Sequence, residues 1–280
     1  MHNIKDLRKN LDDYRKKLLH RNYDFKTDFF ISLDEENRRL ITEKEKLEQE
    51  KKILSKSKDK SNFEKSKKLS SKISKITNEQ LIVQNKLNNF LYVLPNIALK
   101  DVPIGKDEKS NKLISQNGKK KTFEFKPKSH IEIGLRNKDI DFDTSIKLSG
   151  SRFVVLKNRV ALLERALINF MLDVHTNEFK YQEISPPLIV NDEAMFGTGQ
   201  LPKFEDDQFE IKLENLDERK FLIPTAEVVL TNMVRQSVLK QNQLPLRLVA
   251  STPCFRKEAG SYGKDTKGMF RQHQFYKVEL

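Results

Sequence analysis

Tryptophan is absent from the 280 residues, cysteine occurs once, at Cys254, and glycine and proline are held to nine each. A single thiol builds neither a disulfide framework nor a cysteine-rich zinc site, so the fold must stand on its core, and a reducing, cytosolic setting is expected. No window approaches the ~20 uninterrupted apolar residues of a membrane-spanning helix. Charge punctuates the chain from Lys5 onward, unlike the apolar stretch of a secretory leader. What abounds is charge: 33% of residues are Asp, Glu, Lys or Arg and the mean hydropathy is −0.67, so part of the chain must be largely solvated. The net charge of +13 is unevenly spread, because residues 1–100 carry 24 Lys and Arg against 15 Asp and Glu, leaving 29 against 25 for the rest. A basic N-terminal third suits a polyanion such as RNA, whereas a solvated lysine-rich helix face is the plainer alternative.

That third is patterned for helices. Ile4, Leu7, Leu11, Leu18 and Leu19 recur at helical spacing, Leu33, Leu40, Leu47 and Leu54 fall every seven residues, and Leu69, Ile73, Ile76, Gln80, Val83, Leu87, Phe90 and Leu94 alternate steps of four and three. The last two sets predict coiled-coil seams. Ser55 to Asn62 has no apolar anchor and predicts the turn of an antiparallel hairpin with arms of some 25 residues, projecting roughly 35 Å or more at ~1.5 Å per residue. Asn37, Lys44 and Lys51 occupy alternate seam positions, so the tip is expected to zip loosely. Lysines crowd that tip, among them Lys51, Lys58, Lys60 and Lys68, and phosphate binding there would fall steeply as salt rises. From the heptads alone, a dimerisation or spacer coiled coil is the favoured reading.

From Asn96 to Gly134 the periodicity loosens around Pro95, Pro103, Gly105, Gly118 and Pro127, which reads as a linker. Val154 to Leu156 is a short strand candidate, and Val160 to Asn177 predicts an amphipathic helix with a broad buried stripe at 160, 163, 167, 170, 171 and 174. Pro186 and Pro187 then confine the following run to an edge or interface. In Thr225-Ala226-Glu227 a hydroxyl and a carboxylate flank a small residue, which suits a zwitterionic amino acid. A helix N-cap with a first-turn acid is the structural alternative, since Val228 to Val238 reads as helix.

The last thirty residues predict a β-hairpin. Alternation puts Arg256 and Glu258 on one face and Arg271, His273, Phe275, Lys277 and Glu279 on one face of the returning strand. Between them Gly260, Gly263 and Gly268 stand among Lys264, Asp265 and Lys267, a loop able to approach a phosphate with its backbone. Guanidinium for phosphate and ring for base make this a nucleotide-binding face, the alternative being an ordinary amphipathic hairpin.

The string Phe255-Arg256-Lys257-Glu258-Ala259-Gly260 with its finish Arg271-Gln272-His273-Gln274-Phe275 resembles motif 2 of class II aminoacyl-tRNA synthetases, specifically the bacterial type of the seryl-tRNA synthetase family. The tracts His130 to Gly134, Leu148 to Phe153 and Gly197 to Phe204 are similar to the family as well, and the segment Val160 to Leu188 resembles motif 1, with Lys180 where the family usually has glycine. The resemblance implies an α+β fold: an antiparallel helical coiled-coil hairpin over residues 1–100 that grips tRNA, a linker over 101–134, and an antiparallel class II sheet domain flanked by helices over 135–280. It implies activation of L-serine by ATP with Mg²⁺, transfer to tRNA(Ser) and also tRNA(Sec), and a cytoplasmic homodimer paired through motif 1. Arg256 and Glu258 would be catalytic; Thr225, Ala226, Glu227 and Glu279 would bind serine; Arg256, Lys257, Glu258, Arg271 and Phe275 would bind ATP. The family's motif 3 has no counterpart before Leu280, so the catalytic core is expected to be incomplete and the isolated chain inactive and prone to aggregate. A non-catalytic tRNA-binding paralogue stays open beside this reading, whereas a purely structural coiled coil or an amino acid:carrier-protein ligase leaves the C-terminal half or the basic arm unexplained.

Overall fold

The computed structural model describes residues 2–56, 62–212, 218–258 and 269–280. The glycine-spaced loop with Gly260, Gly263, Lys264, Asp265, Lys267 and Gly268, and the tip lysines Lys58 and Lys60, lie outside the described residues. The chain divides into two compact units, Met1–Lys119 and Lys120–Leu280.

The first unit is helical. Asn3 caps α1 (Ile4–Lys9) by accepting from the backbone N–H groups of Lys5 and Asp6, and Asn10 breaks the line before α2 (Leu11–Leu19). Leu7 and Leu18 are fully buried and pack with Phe25, Phe30, Leu87 and Leu91 at the root of the arm, whereas Leu19, expected on the same stripe, is 63% exposed. Two long helices form the arm itself, α3 (Thr27–Lys56) and α4 (Asn62–Tyr92), of 30 and 31 residues. They are longer than the expected arms because each helix starts well before its first seam leucine, α3 at Thr27 ahead of Leu33 and α4 at Asn62 ahead of Leu69. At ~1.5 Å per residue each spans about 45 Å.

The seam follows the heptads. Leu40, Ile76 and Leu87 are buried, while Leu47, Leu54, Lys44 and Lys51 are only half-buried, so packing slackens toward the turn. A polar layer crosses it: Asn37 Nδ2 donates to Gln84 Oε1 at 2.9 Å, Gln80 Nε2 donates to Asn37 Oδ1 at 3.0 Å, and Gln84 Nε2 donates to Asn88 Oδ1 at 2.9 Å. Asn37 is buried and finds its partners on α4 in this alignment, so the layer fixes register. At the root Arg8 forms a two-pronged pair with Asp34, at 2.7 and 2.5 Å, fastening α1 to α3.

The second unit mixes helices with short sheets. A capping box of Ser129 and Glu132 starts α5 (His130–Asn137). A Cβ on Gly134 would sit 2.4 Å from Ile140 Cδ1, so only glycine lets α5 approach β1 (Ile140–Asp141). Then follow α6 (Phe142–Ser149), β2 (Val155–Leu156), antiparallel to β1, and α7 (Asn158–Asp173), which runs into a wide turn over Val174–Glu178. The expected buried stripe of α7 is corrected here: Leu163, Leu167, Phe170 and Met171 are 56, 48, 63 and 39% exposed. Periodicity reports an apolar face, not what covers it.

Among the described residues, two three-stranded sheets carry the rest. One has the order β4 (Ile189–Asn191), β6 (Lys220–Leu222), β5 (Glu210–Ile211), all antiparallel. The other has the order β3 (Gln182–Glu183), β7 (Leu248–Phe255), β8 (Gln274–Glu279), with β3 parallel and β8 antiparallel to β7. Met195, Phe221, Ile223 and Val228 form the core between β4, β6 and the helices α8 (Asp192–Gly197) and α9 (Glu227–Asn232). The two sheets meet where the Phe255 N–H donates to the Ile223 carbonyl at 2.9 Å. No helix among the described residues is long and apolar enough to cross a membrane.

Candidate active site

The hairpin register sets the site. Cys254, Thr252 and Ala250 pair with Phe275, Lys277 and Glu279, so these six side chains share one face, the three on β7 buried beneath the three on β8. The returning strand begins at Gln274, so Arg271 and His273 lie before it rather than on its face as the alternation predicts. Pairing nonetheless runs one step further, with the Arg256 N–H donating to the His273 carbonyl at 3.0 Å and His273 Nδ1 2.9 Å from the Arg256 carbonyl.

Arg256 leaves the end of β7 with its guanidinium carbon 5.2 Å from the centre of the Phe275 ring, and its Nε donates to the Pro224 carbonyl at 3.2 Å. A cation over an aromatic face is attractive by about 0.5–2 kcal/mol, so the ring holds the guanidinium in place. Glu258 stands at φ 51° and accepts from Arg271 Nη1 at 3.0 Å. Arg256 and Glu258 line an open cleft of about 300 Å³ together with Pro224, Gln200, Phe204 and Asp207. Gln200 and Phe204 come from the tract Gly197 to Phe204 noted in the sequence for its family resemblance, where Gly199 takes the left-handed φ of 73°.

Thr225 follows β6 and is 3% exposed. Its hydroxyl donates to Glu279 Oε2 and accepts from Lys277 Nζ at 3.1 Å. It is not the N-cap, because Ala226 holds that position and is itself helical, and α9 ends at Asn232, six residues short of the expected Val238. The Ala226 methyl is fully buried against Leu230 and Ala250, so it serves the core. The Glu227 side chain is exposed on the first turn of α9 and is not drawn into the Thr225–Glu279 contact. Lys257 is exposed; its backbone N–H donates to the Asp207 carbonyl at 2.8 Å, and Nζ lies 5.9 Å from the Phe209 ring centre.

Burial alone would raise the Glu279 pKa. The bonds from Lys277 and Thr225 and the positive charges of Lys277 and Arg256 outweigh it, and the net shift is downward. Burial pushes the Cys254 thiol up, with Thr252 and the same two cations opposing. The first carboxylate is thus held ionised and the thiol protonated at neutral pH.

Sequence reasoning left out Arg152. Its Nη1 donates to the Glu258 carbonyl at 3.1 Å and its own carbonyl accepts from the His273 N–H at 2.9 Å, tying both sides of the hairpin mouth. The partners are over a hundred residues apart in the chain, and no local spacing signals such a pairing. Lys277 was legible only as a member of the Phe275–Glu279 face.

A strand hairpin carrying an arginine over an aromatic ring, beside a buried threonine and a carboxylate, defines the core of a class II aminoacyl-tRNA synthetase. The family model for the "tRNA synthetase class II core domain (G, H, P, S and T)" matches residues 208–280, and the one for the "Seryl-tRNA synthetase N-terminal domain" matches residues 1–98. The chain is 57% identical over 280 residues to the serine–tRNA ligase of Pelagibacter ubique, covering 100% of this chain and 67% of that one. It is 44% identical over 289 aligned residues to that of Ehrlichia canis, with the same coverage. The crystal structure of seryl-tRNA synthetase from Pyrococcus horikoshii complexed with ATP superposes with a TM-score of 0.82 at 33% identity, covering 99% of this chain and 68% of that one. The cytoplasmic serine–tRNA ligase of Naegleria fowleri in complex with AMP gives 0.78 at 25%, covering 96% and 63%. This chain belongs to the seryl-tRNA synthetase family, and it spans about two thirds of the length of these relatives.

Proposed function

We propose that the protein carrying this chain activates L-serine with ATP and passes it to tRNA(Ser), with tRNA(Sec) as a further acceptor. The observation that supports it best is the joined pair of clusters, Arg256 over Phe275 and Thr225 bonded to Glu279, which sets a phosphate-binding cation and a base-sized ring beside a carboxylate. The serine carboxylate attacks the α-phosphorus in line and pyrophosphate departs; a ribose hydroxyl of the tRNA end then takes the seryl group and AMP leaves. Positioning and charge supply the catalysis. Arg256 faces the α-phosphate, Glu258 and Arg271 hold the ATP at the hairpin mouth, Phe275 stacks on adenine, and the Lys257 backbone braces the strand exit. Glu279 accepts from the serine hydroxyl, Glu227 takes the ammonium, and Thr225 with the Ala226 backbone shapes the floor.

Mg²⁺ is expected to accompany the ATP, where it would offset phosphate charge. Among the described residues no group of three or more His, Cys, Asp or Glu is arranged to hold an ion. The basic arm, residues 1–100, grips the tRNA; residues 101–134 link it to the catalytic core over 135–280. The exposed apolar face of α7 seats a second copy, and the setting is cytoplasmic.

Serine-dependent ATP–pyrophosphate exchange in the intact enzyme tests the reading. Arg256→Ala should lower it by roughly 10²–10³, the loss typical of removing one charge-stabilising group. Near-normal exchange in that variant would remove Arg256 from the chemistry, and tRNA binding without any exchange in the unaltered protein would favour the non-catalytic paralogue.

A further inference from the structure

Phe275, Lys277 and Glu279 share the inner face of β8, and the proposed chemistry uses only the first and third. An ammonium has donors and no acceptor, so Lys277 Nζ, 3.1 Å from Thr225 Oγ1, can only donate to it. The threonine hydrogen is thereby turned toward Glu279 Oε2. The Glu227 N–H also points at the Thr225 oxygen, at 3.4 Å. One donor and two lone pairs are all a hydroxyl has, and here the protein uses all three. Lys277 pairs with Glu279 as well, on the same Oε2 that Thr225 reaches. Two contacts on one carboxylate oxygen fix the orientation of the group and present the other oxygen. The side chains of Lys277 and Glu279 are 36 and 17% exposed, so the pair is only partly screened by water.

We infer that Lys277 is a specificity-determining positioning residue: by clamping Thr225 and Glu279 into one unit it aims the free Glu279 oxygen at a neutral substrate hydroxyl and offsets the charge that would otherwise draw a cation there. The inference rests on the serine-activating reading above. It reassigns Thr225 from a direct substrate contact to a support for Glu279. It also names what the pocket refuses. Alanine leaves the Glu279 oxygen without its donor, and 2,3-diaminopropionate, with an ammonium in place of the hydroxyl, meets an already neutralised carboxylate.

Two measurements test this with Lys277→Met, and with Lys277→Gln, which drops the charge but keeps a donor, should the first variant fold poorly. In the intact enzyme, the Glu279 carboxyl is followed by carbon-13 NMR against pH. The charged neighbours facing it are Lys277 on its own strand and Arg256 from the end of β7, with Thr225 bonded from the loop after β6. The unaltered chain should titrate below the ordinary ~4.3 of glutamate, and both variants should titrate at higher pH. An unchanged midpoint overturns the clamp.

In the intact enzyme, the variants should lose roughly tenfold in kcat/KM for serine, the scale of one charge-assisted contact, mainly through KM. Activation of 2,3-diaminopropionate relative to serine should rise at the same time. Loss of stability alone would leave that ratio where it was, and an unchanged ratio with unchanged serine KM refutes the assignment. If the unaltered enzyme fails to activate serine, the functional reading falls, while the titration still decides whether Lys277 governs Glu279.

Discussion

Lys180 holds a left-handed backbone at φ 57°, at the position where the seryl-tRNA synthetase family usually has glycine. A lysine there crowds its own Cβ against the backbone, and its only visible return is a bond from Nζ to the Asn177 carbonyl at 2.6 Å on an exposed turn. Lys180→Gly should therefore be neutral or raise stability by up to about 1 kcal/mol, read as a shift in the thermal midpoint, whereas clear destabilisation would show that the lysine bond dominates. Cys254 makes the opposite case of a residue fully shielded by its neighbours. It is 0% exposed between β7 and the Ala226 turn, and burial keeps its thiol protonated. An aromatic disulfide reagent should label it only after unfolding, and prompt labelling of the native chain at neutral pH would mean that the site face opens.

Among the elements, the arm was the most legible. Its seam depends on residues three and four apart, and the heptad leucines mark the inner face whatever the partner helix does. Its polar layer was visible only in part: Asn37 and Gln80 could be placed on the seam, but that they bond each other across 43 residues is a matter of register. Asn37→Ala should cost about 1–3 kcal/mol in urea unfolding, because Gln80 and Gln84 then lose a buried partner. A loss near zero would mean that water replaces the asparagine. The catalytic half read differently. Alternation correctly grouped Phe275, Lys277 and Glu279, yet the same rule failed for Arg271 and His273 because the strand starts later than its apolar pattern suggests. Thr225 as N-cap failed for a further reason: α9 starts one residue later, with Ala226 at the cap, and the Thr225 hydrogen goes to Glu279, a carboxylate that only the fold brings near.

For the molecule as a whole, a broad apolar feature of the second unit is α7, where Leu162, Leu163, Leu167 and Phe170 are all about half exposed or more. Apolar faces of this kind on a folded chain mark contact with another surface. Phe170→Glu should convert a dimeric protein to monomer in sedimentation while leaving the circular dichroism of the arm unchanged; a monomeric unaltered protein would remove the α7 pairing from the functional proposal. The placement of Arg152 has a consequence for biosynthesis. The apolar cluster at the root of the arm is complete once Ile97 has been made, whereas the hairpin mouth needs Arg152, Glu258 and His273 together, and Thr225 waits for Glu279. As the polypeptide leaves the ribosome, the root of the helical arm can therefore settle before the hairpin mouth, which waits for residues up to Glu279.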